Sequence, residues 1–214
     1  MHVRNKPIIA ISMGDPCGIG PEIICKSLSE IIYEYDFHPL ILGNFDALEH
    51  IDNLIKSHLK FLKIDSLSRI SELNSDIIPV MDDSNLDFSK ISPGVISATA
   101  GGASMKWILH SGRLAESKKV DAVVSCPINK ESCGLAGSKA IGHMELFQQQ
   151  TKSENVATML MTPGLRVVHL TTHKSLKEAC DYVTFKNVYT KIELIHTSFK
   201  KLGFTKPKIG VSAL

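Results

Sequence analysis

The chain has 214 residues, of which 43% are hydrophobic and 21% are charged, and its formal net charge at pH 7 is +2. This composition is typical of a folded globular protein and excludes extensive disorder, and the small net charge argues against a nucleic-acid partner. No apolar stretch approaches the length of a membrane span, and the five cysteines form no C-x-x-C pair. We therefore expect a cytoplasmic protein with reduced thiols and no membrane association.

The first predicted elements are a buried strand, a glycine-rich turn and a helix, within residues 7–28. The apolar run that begins at Ile8 is typical of a parallel strand covered on both faces, and Pro21 suits the first turn of a helix. The turn has neither the G-x-G-x-x-G nor the G-x-x-x-x-G-K-[ST] spacing, and Asp15 and Glu22 place negative charge where a phosphate would bind. The sequence thus predicts a βα unit with a structural turn, in preference to a nucleotide loop.

Residues 13–22 read MGDPCGIGPE, and this string resembles the opening signature of the 4-hydroxythreonine-4-phosphate dehydrogenase family. The resemblance implies an α/β fold of three layers, α/β/α, related to isocitrate and isopropylmalate dehydrogenases. It also implies a homodimer that uses NAD or NADP and a divalent metal to oxidise a phosphorylated small molecule in pyridoxal 5'-phosphate biosynthesis.

The βα pattern continues after the first helix. A second strand is predicted at 39–43, followed by a helix that begins near Asp46 with Asn44 as its N-cap. Residues 77–81 form a further short apolar run and are predicted to be a strand. The polar residues 82–85 are typical of an exposed turn, and no chemistry is assigned to them.

A helical pattern extends over residues 93–118 and contains two consecutive glycines, Gly101 and Gly102. Glycine inside a helix costs about 1 kcal/mol relative to alanine, so a close approach of another element should compensate. Tight packing within the chain is one explanation. The approach of a partner subunit to this small-residue surface is the other.

The strand predicted at 121–126 runs directly into a Pro-Ile-Asn-Lys turn that ends at Lys130. In open α/β sheets, ligands bind beyond the carboxyl ends of the strands, which places Lys130 where it can meet an anionic group. An ordinary surface lysine is equally compatible with this position. The turn also resembles the family's proline-to-lysine turn, which implies that Lys130 binds the substrate.

A glycine precedes His143 at a predicted helix start, in the segment Gly-His-Met-Glu. A histidine there can present a donor to phosphate or carboxylate, beside the amides of the first turn. The segment resembles the family's Gly-His-Thr-Glu motif, whose histidine and threonine bind substrate, so the resemblance implies that His143 and Met144 are substrate-binding. Methionine lacks the threonine hydroxyl, which leaves open a related enzyme for a threonate or erythronate phosphate.

Two strands are predicted at 156–161 and 165–172, joined by a Thr-Pro-Gly turn. On an extended strand, four residues span roughly 13 Å, so His169 and His173 are too far apart to share one metal ion. His173 falls at the end of the strand, whereas His169 is expected inside it as a core residue. The Thr-Thr-His segment also resembles a family motif, which implies that His173 is a ligand of a divalent metal such as Zn, Mg or Co.

The last predicted elements are an amphipathic helix at 185–202 and a strand at 208–214. Family members continue beyond this strand, and the resemblance places two further metal histidines and several phosphate-binding residues there. We therefore expect residues 1–214 to be the N-terminal portion of a C-terminally incomplete, two-domain dehydrogenase, with a candidate internal boundary near 126–142.

The resemblance as a whole implies one reaction. The enzyme would oxidise 4-phosphohydroxy-L-threonine to a β-keto acid, which decarboxylates to 3-amino-2-oxopropyl phosphate. Two alternatives stay open: a related dehydrogenase for a threonate or erythronate phosphate, and a non-catalytic fragment. The sequence assigns no catalytic residue and no nicotinamide-binding residue.

Overall fold

The computed structural model describes residues 6–74, 76–139, 142–172 and 174–212. The chain divides into two compact units, with the division between Thr151 and Lys152. The candidate boundary near 126–142 stays a prediction about the domains of the complete protein. The two units are described separately below.

The first unit is built on a five-stranded parallel sheet. Its strands are β1 (Ile8–Ser12), β2 (His38–Leu42), β3 (Lys60–Lys63), β4 (Ile77–Met81) and β5 (Ala122–Ser125). They lie in the order β3-β4-β2-β1-β5. Ser12 at the end of β1 is in register with Leu42 and with Ser125, so three strands end at one edge of the sheet.

Helices cover the sheet on both faces and complete the predicted three-layer α/β/α fold. They are α1 (Gly20–Ile31), α2 (Phe45–Ile55), α3 (Ala98–Glu116), α4 (Lys130–Leu135) and α5 (His143–Thr151), with two short 3-10 helices at Leu67–Glu72 and Phe88–Lys90. Helices α1 and α2 pack together, and α3 packs against α4, α5 and strands of the sheet. Trp107 of α3 is fully buried in this core.

Several predicted boundaries in this unit are confirmed. Helix α1 begins at Gly20, with Pro21 in its first turn. Asn44 caps α2, because its side-chain oxygen accepts a hydrogen bond from the amide of Ala47 at 2.9 Å. The helix predicted at 93–118 begins later, at Ala98, because the Ser97 hydroxyl accepts from the Ala100 amide and caps it there.

The glycine pair of α3 marks a close approach of α4. A Cβ atom on Gly101 would lie 2.1 Å from the carbonyl oxygen of Ser132, whereas one on Gly102 would meet only the Ala136 side chain, at 3.7 Å. Ser132 belongs to the same chain, so tight packing within the chain explains Gly101. The predicted close packing is therefore confirmed.

Asp82 is not the exposed turn residue that the sequence predicted. One carboxylate oxygen accepts from the Trp107 indole at 3.2 Å and from the Ser84 amide at 3.0 Å, and the other accepts from the Asn44 side chain at 2.9 Å. Asp82 therefore connects the end of β4 to the cap of α2 and to α3. The prediction failed because these partners are 25 and 38 residues away in the sequence.

The second unit contains an antiparallel pair of strands and two helices. Strands β6 (Met159–Thr162) and β7 (Leu165–Val168) pair with each other, and Gly164 adopts a positive φ of 81° in the predicted turn between them. Helix α6 (Leu176–Tyr182) begins with a capping box between Ser175 and Glu178, and α7 (Phe185–Lys201) matches the predicted amphipathic helix.

Two sequence predictions in this unit are wrong. Strand β7 ends at Val168, so His169 follows the strand and is exposed, whereas we expected a core residue inside it. The described part of the predicted last strand, 208–212, is not in a strand. In the described part of the chain, none of the helices has both the length and the apolar character needed to cross a membrane.

Candidate functional site

The carboxyl ends of β1 and β5 lie side by side, and the segments that follow them are hydrogen-bonded to each other. The Cys126 amide donates to the Ser12 carbonyl at 2.9 Å, and the Asp15 amide donates to the Pro127 carbonyl at the same distance. This is the edge of the sheet where ligands bind in open α/β folds. We call residues 12–15 together with 126–127 the site floor.

Gly14 allows the two segments of the site floor to approach each other. Its φ is +71°, and a Cβ atom at this position would lie 2.2 Å from the Pro127 carbonyl oxygen. Ser104 of α3 supports the same peptide, since its hydroxyl lies 2.8 Å from the Gly14 carbonyl and 2.9 Å from the Ala100 carbonyl. Helix α3 therefore supports the site floor through this hydrogen bond from Ser104 to Gly14.

His143 is the first residue of α5, so it lies at a helix start, as the sequence predicted. Its imidazole donates a hydrogen bond to the backbone carbonyl of Cys126. Its Nε2 atom is buried and has no hydrogen-bond partner among the described residues. Burial lowers the pKa of His143, and the hydrogen bond to Cys126 opposes this effect only in part, so the neutral imidazole is favoured.

Lys130 and Met144 lie on the two helices that follow β5. Lys130 is the exposed first residue of α4, whose N-cap Asn129 accepts from the Ser132 amide at 2.8 Å. Met144 is half-buried in the first turn of α5. The fold brings Lys130 and His143 to the same edge of the sheet, and a shared ligand stays a prediction.

Asp15 is a member of this edge that the sequence analysis did not select. Asp15 is only 6% exposed, and one of its carboxylate oxygens accepts a hydrogen bond from the Cys17 amide at 2.8 Å. Burial raises the pKa of Asp15, and this hydrogen bond opposes the shift. The available signal was its position, three residues after a buried strand that ends at the ligand-binding edge.

The cysteines around the site floor are suited to packing and not to nucleophilic chemistry. Burial raises the pKa of Cys126 to about 11, and burial together with the negative charge of Asp15 raises the pKa of Cys17 and Cys133. These thiols therefore stay protonated at neutral pH, whereas a nucleophile or a metal ligand must be a thiolate.

The described residues do not form a metal site by themselves. Within the described ranges, no group of three or more His, Cys, Asp or Glu side chains is arranged to hold a metal ion. His173, the predicted ligand, lies outside the described residues.

Comparison with known proteins places this chain in a family. The model of the family described as "PdxA: Pyridoxal phosphate biosynthetic protein PdxA" matches residues 36–214. The chain belongs to the PdxA family. This finding confirms the resemblance that the sequence motifs indicated.

Two curated relatives carry the name "Putative D-threonate 4-phosphate dehydrogenase". The relative from Halalkalibacterium halodurans is 35% identical over 212 residues, and the one from Clostridium botulinum is 34% identical over 214 residues. Each match covers 99% of this chain and 63% of the relative. The chain thus spans less than two thirds of the length of these PdxA-family relatives.

Solved structures show the same fold. The 4-hydroxythreonine-4-phosphate dehydrogenase from Klebsiella pneumoniae superposes with a TM-score of 0.85 at 31% identity, and the one from Burkholderia phymatum with 0.83 at 31%. Each superposition covers 96% of this chain and 62% of the solved chain. The similarity to the fold of these solved PdxA-family chains therefore extends over nearly all of this chain.

Proposed function

We propose that this chain is the larger part of a dehydrogenase that oxidises 4-phosphohydroxy-L-threonine with NAD or NADP, in pyridoxal 5'-phosphate biosynthesis. The observation that carries the proposal is the PdxA family match over residues 36–214. The names of the solved structural neighbours support the same substrate. We further propose a cytoplasmic homodimer.

The proposed reaction removes a hydride and a proton from the secondary alcohol of the substrate. The nicotinamide, when bound, would accept the hydride, and the alcohol proton would be released to water. The resulting β-keto acid loses carbon dioxide and gives 3-amino-2-oxopropyl phosphate. In this proposal Lys130, His143 and Met144 bind the substrate at the edge formed by β1 and β5, where Lys130 supplies positive charge for the phosphate.

The second candidate is a dehydrogenase for a threonate or erythronate phosphate. The names of the two curated relatives favour D-threonate 4-phosphate, and Met144 stands where the family motif has a threonine. An assay of nicotinamide reduction with each of the three phosphorylated acids tests both candidates. Turnover of 4-phosphohydroxy-L-threonine alone supports the first, turnover of a sugar-acid phosphate alone supports the second, and turnover of none supports a non-catalytic fragment.

In a full-length version of the protein, Met144→Thr should increase turnover of 4-phosphohydroxy-L-threonine. The threonine hydroxyl would restore a polar contact with the substrate, and such a contact contributes about 0.5 to 1.5 kcal/mol, or about two- to tenfold in rate. Met144→Val, which has the same branched shape without the hydroxyl, is the matched control. Equal effects of the two substitutions, or a decrease with Met144→Thr, would contradict the proposed substrate.

His173 is proposed as a ligand of Zn, Mg or Co. Catalytic zinc sites use three protein ligands, so one imidazole should hold zinc weakly in the 214-residue chain. Calorimetric titration should show weak zinc binding that His173→Ala removes. His169→Ala, which alters an exposed histidine four residues earlier, should leave it unchanged. Tight stoichiometric binding, or binding that survives His173→Ala, would refute this assignment.

A further inference from the structure

Asp15 is a buried carboxylate at the ligand-binding edge of the sheet, and no positive charge lies beside it. Only 6% of the residue is exposed. None of the ion pairs among the described residues includes Asp15, so no described lysine, arginine or histidine nitrogen lies within 4 Å of its carboxylate. Burial takes a charge out of water, and buried aspartates are therefore nearly always paired. Asp15 lacks the partner that its burial requires.

The local hydrogen bonds of Asp15 use only part of its carboxylate. One oxygen, Oδ1, accepts from the Cys17 amide at 2.8 Å, and no other described donor is bonded to this side chain. The backbone of the residue is fixed, because its amide donates to the Pro127 carbonyl at 2.9 Å. A turn that needs one acceptor for the Cys17 amide could use asparagine equally well. The turn alone therefore does not explain the negative charge.

The same edge carries a positive group that does not neutralise Asp15. Lys130 begins α4, three residues after the Pro127 carbonyl that binds the Asp15 amide. It is exposed and belongs to none of the ion pairs of the described residues. The negative charge of Asp15 also reaches α4, because it adds to burial in raising the pKa of Cys133. A ligand that lies along this edge therefore meets a cation and an anion on adjacent segments.

The amino-acid substrate has a matching distribution of charge. 4-Phosphohydroxy-L-threonine carries a phosphate at one end and an α-ammonium group towards the other, whereas a threonate or erythronate phosphate has a neutral hydroxyl in place of the ammonium. An ammonium offers a carboxylate three donors and an opposite charge, and a hydroxyl offers one donor and no charge. The attraction between opposite charges is stronger in a buried site than in water. Asp15 is thus suited to the ammonium.

We infer that the Asp15 carboxylate binds the α-ammonium group of the substrate and thereby selects 4-phosphohydroxy-L-threonine over a sugar-acid phosphate. This inference rests on the proposed function, because the phosphorylated amino acid must bind at this edge of the sheet. It gives the turn after β1 a role in specificity. It also implies that the charge of Asp15 destabilises the free protein and is compensated only when the ligand binds.

The stability of the free chain is the first test. Asp15→Asn keeps an oxygen for the Cys17 amide and removes the charge, so the urea midpoint at neutral pH should rise. Burial raises the pKa of Asp15 against the opposing hydrogen bond from Cys17, so the ionised form is the less stable one in the fold. A lower midpoint for Asp15→Asn would show that the charge serves the structure, and would overturn the inference.

Asp87→Asn is the matched control for this test. Asp87 accepts from the Ser89 amide at 3.1 Å, which is the same spacing of two residues, but it is exposed. Hydrogen bonds from Ser89 and Lys90 lower the pKa of Asp87, so its charge stabilises the fold. The urea midpoint of Asp87→Asn should therefore not rise. An equal rise in both variants would contradict a special role for Asp15.

Two phosphorylated ligands provide the second test, in calorimetric titrations of the 214-residue chain at neutral pH. Asp15→Asn should lower the affinity for 4-phosphohydroxy-L-threonine by about tenfold and the affinity for D-threonate 4-phosphate by about threefold or less. The reason is that the asparagine NH₂ group opposes an ammonium but can donate to a hydroxyl oxygen. Asp87→Asn should change neither affinity. Equal losses for the two ligands, or no binding of the amino acid to the unmodified chain, would overturn the inference.

The outcomes separate this inference from the proposed function. If the titrations show the expected selectivity but none of the phosphorylated acids is oxidised, the role of Asp15 stands and the proposed dehydrogenase activity fails. If 4-phosphohydroxy-L-threonine is oxidised and Asp15→Asn leaves the ratio of the two affinities unchanged, the activity stands and the role of Asp15 fails.

Discussion

Gly101→Ala should lower the free energy of unfolding of the first unit by about 3 kcal/mol, the upper end of the usual cost of overpacking. The added Cβ would lie 2.1 Å from the Ser132 carbonyl oxygen and 2.6 Å from the Cys133 amide nitrogen. These are backbone atoms, which cannot move aside as a flexible side chain can. Helix α4 would therefore have to move away from α3.

Gly102→Ala is the matched control for this prediction. Its Cβ would meet only the Ala136 side chain at 3.7 Å, an ordinary van der Waals contact. Alanine is the better helix former by about 1 kcal/mol, so this substitution should stabilise the protein. Urea unfolding followed by the fluorescence of Trp107, the single tryptophan of the chain, measures both effects. Equal stabilities of the two variants would show that α4 does not approach Gly101 closely.

Asp82→Ala should also destabilise the first unit by about 3 kcal/mol, because buried donors that lose a charged acceptor keep their full desolvation cost. The Trp107 indole would lose its hydrogen-bond partner, and the side-chain NH₂ group of Asn44 would keep only the Leu86 carbonyl, at 3.1 Å. Urea unfolding measures the loss, and the emission maximum of Trp107 should shift in the folded variant.

The adjacent carboxylate is the control. Asp83 is more exposed and contacts His110 at 2.9 Å and Arg113 at 3.9 Å, so Asp83→Ala should cost about 1 kcal/mol or less. Asp82→Asn should fall between the two, since its amide oxygen can still accept from Trp107 while its NH₂ group faces the donor of Asn44. A loss with Asp83→Ala as large as with Asp82→Ala would contradict the role assigned to Asp82.

The first unit was predictable because its local patterns and its tertiary contacts agree. The apolar run at Ile8 lies between two neighbouring strands, and the Asn44 cap depends on an amide only three residues away. Asp82 was missed because its polar neighbours in sequence are typical of a turn. Its side-chain hydrogen bonds depend on Trp107 and Asn44, which only the folded chain brings to it.

The second unit shows where strand propensity is insufficient. The β-branched residues Thr171 and Thr172 favour an extended chain, but β7 ends at Val168, the residue paired with the first residue of β6, Met159. A strand exists only as far as a neighbour accepts its hydrogen bonds, and the length of that neighbour cannot be read from the pattern. For this reason the sequence analysis wrongly predicted that His169 lies inside a strand.

At the candidate site, the sequence located the elements but not the hydrogen bonds. Lys130 and His143 both follow β5, and His143 begins a helix, as predicted, whereas Lys130 begins α4 where the sequence predicted a turn. The state of His143 depends on a carbonyl 17 residues earlier, and the conformation at Gly14 depends on a hydroxyl from α3 that is 90 residues away. Contacts of this range arise from the fold, so residue patterns could not reveal them.

The hydrogen bonds of the site floor have a further consequence for its motions. The Asp15 and Cys126 amides are buried donors in the same network that joins β1, β5 and α3. To open this network, the chain would have to separate β5 from β1, so we expect the Asp15 and Cys126 amides to exchange more slowly than the amides of an exposed loop. A ligand that binds there meets a surface already ordered, and its association loses little conformational entropy in these segments.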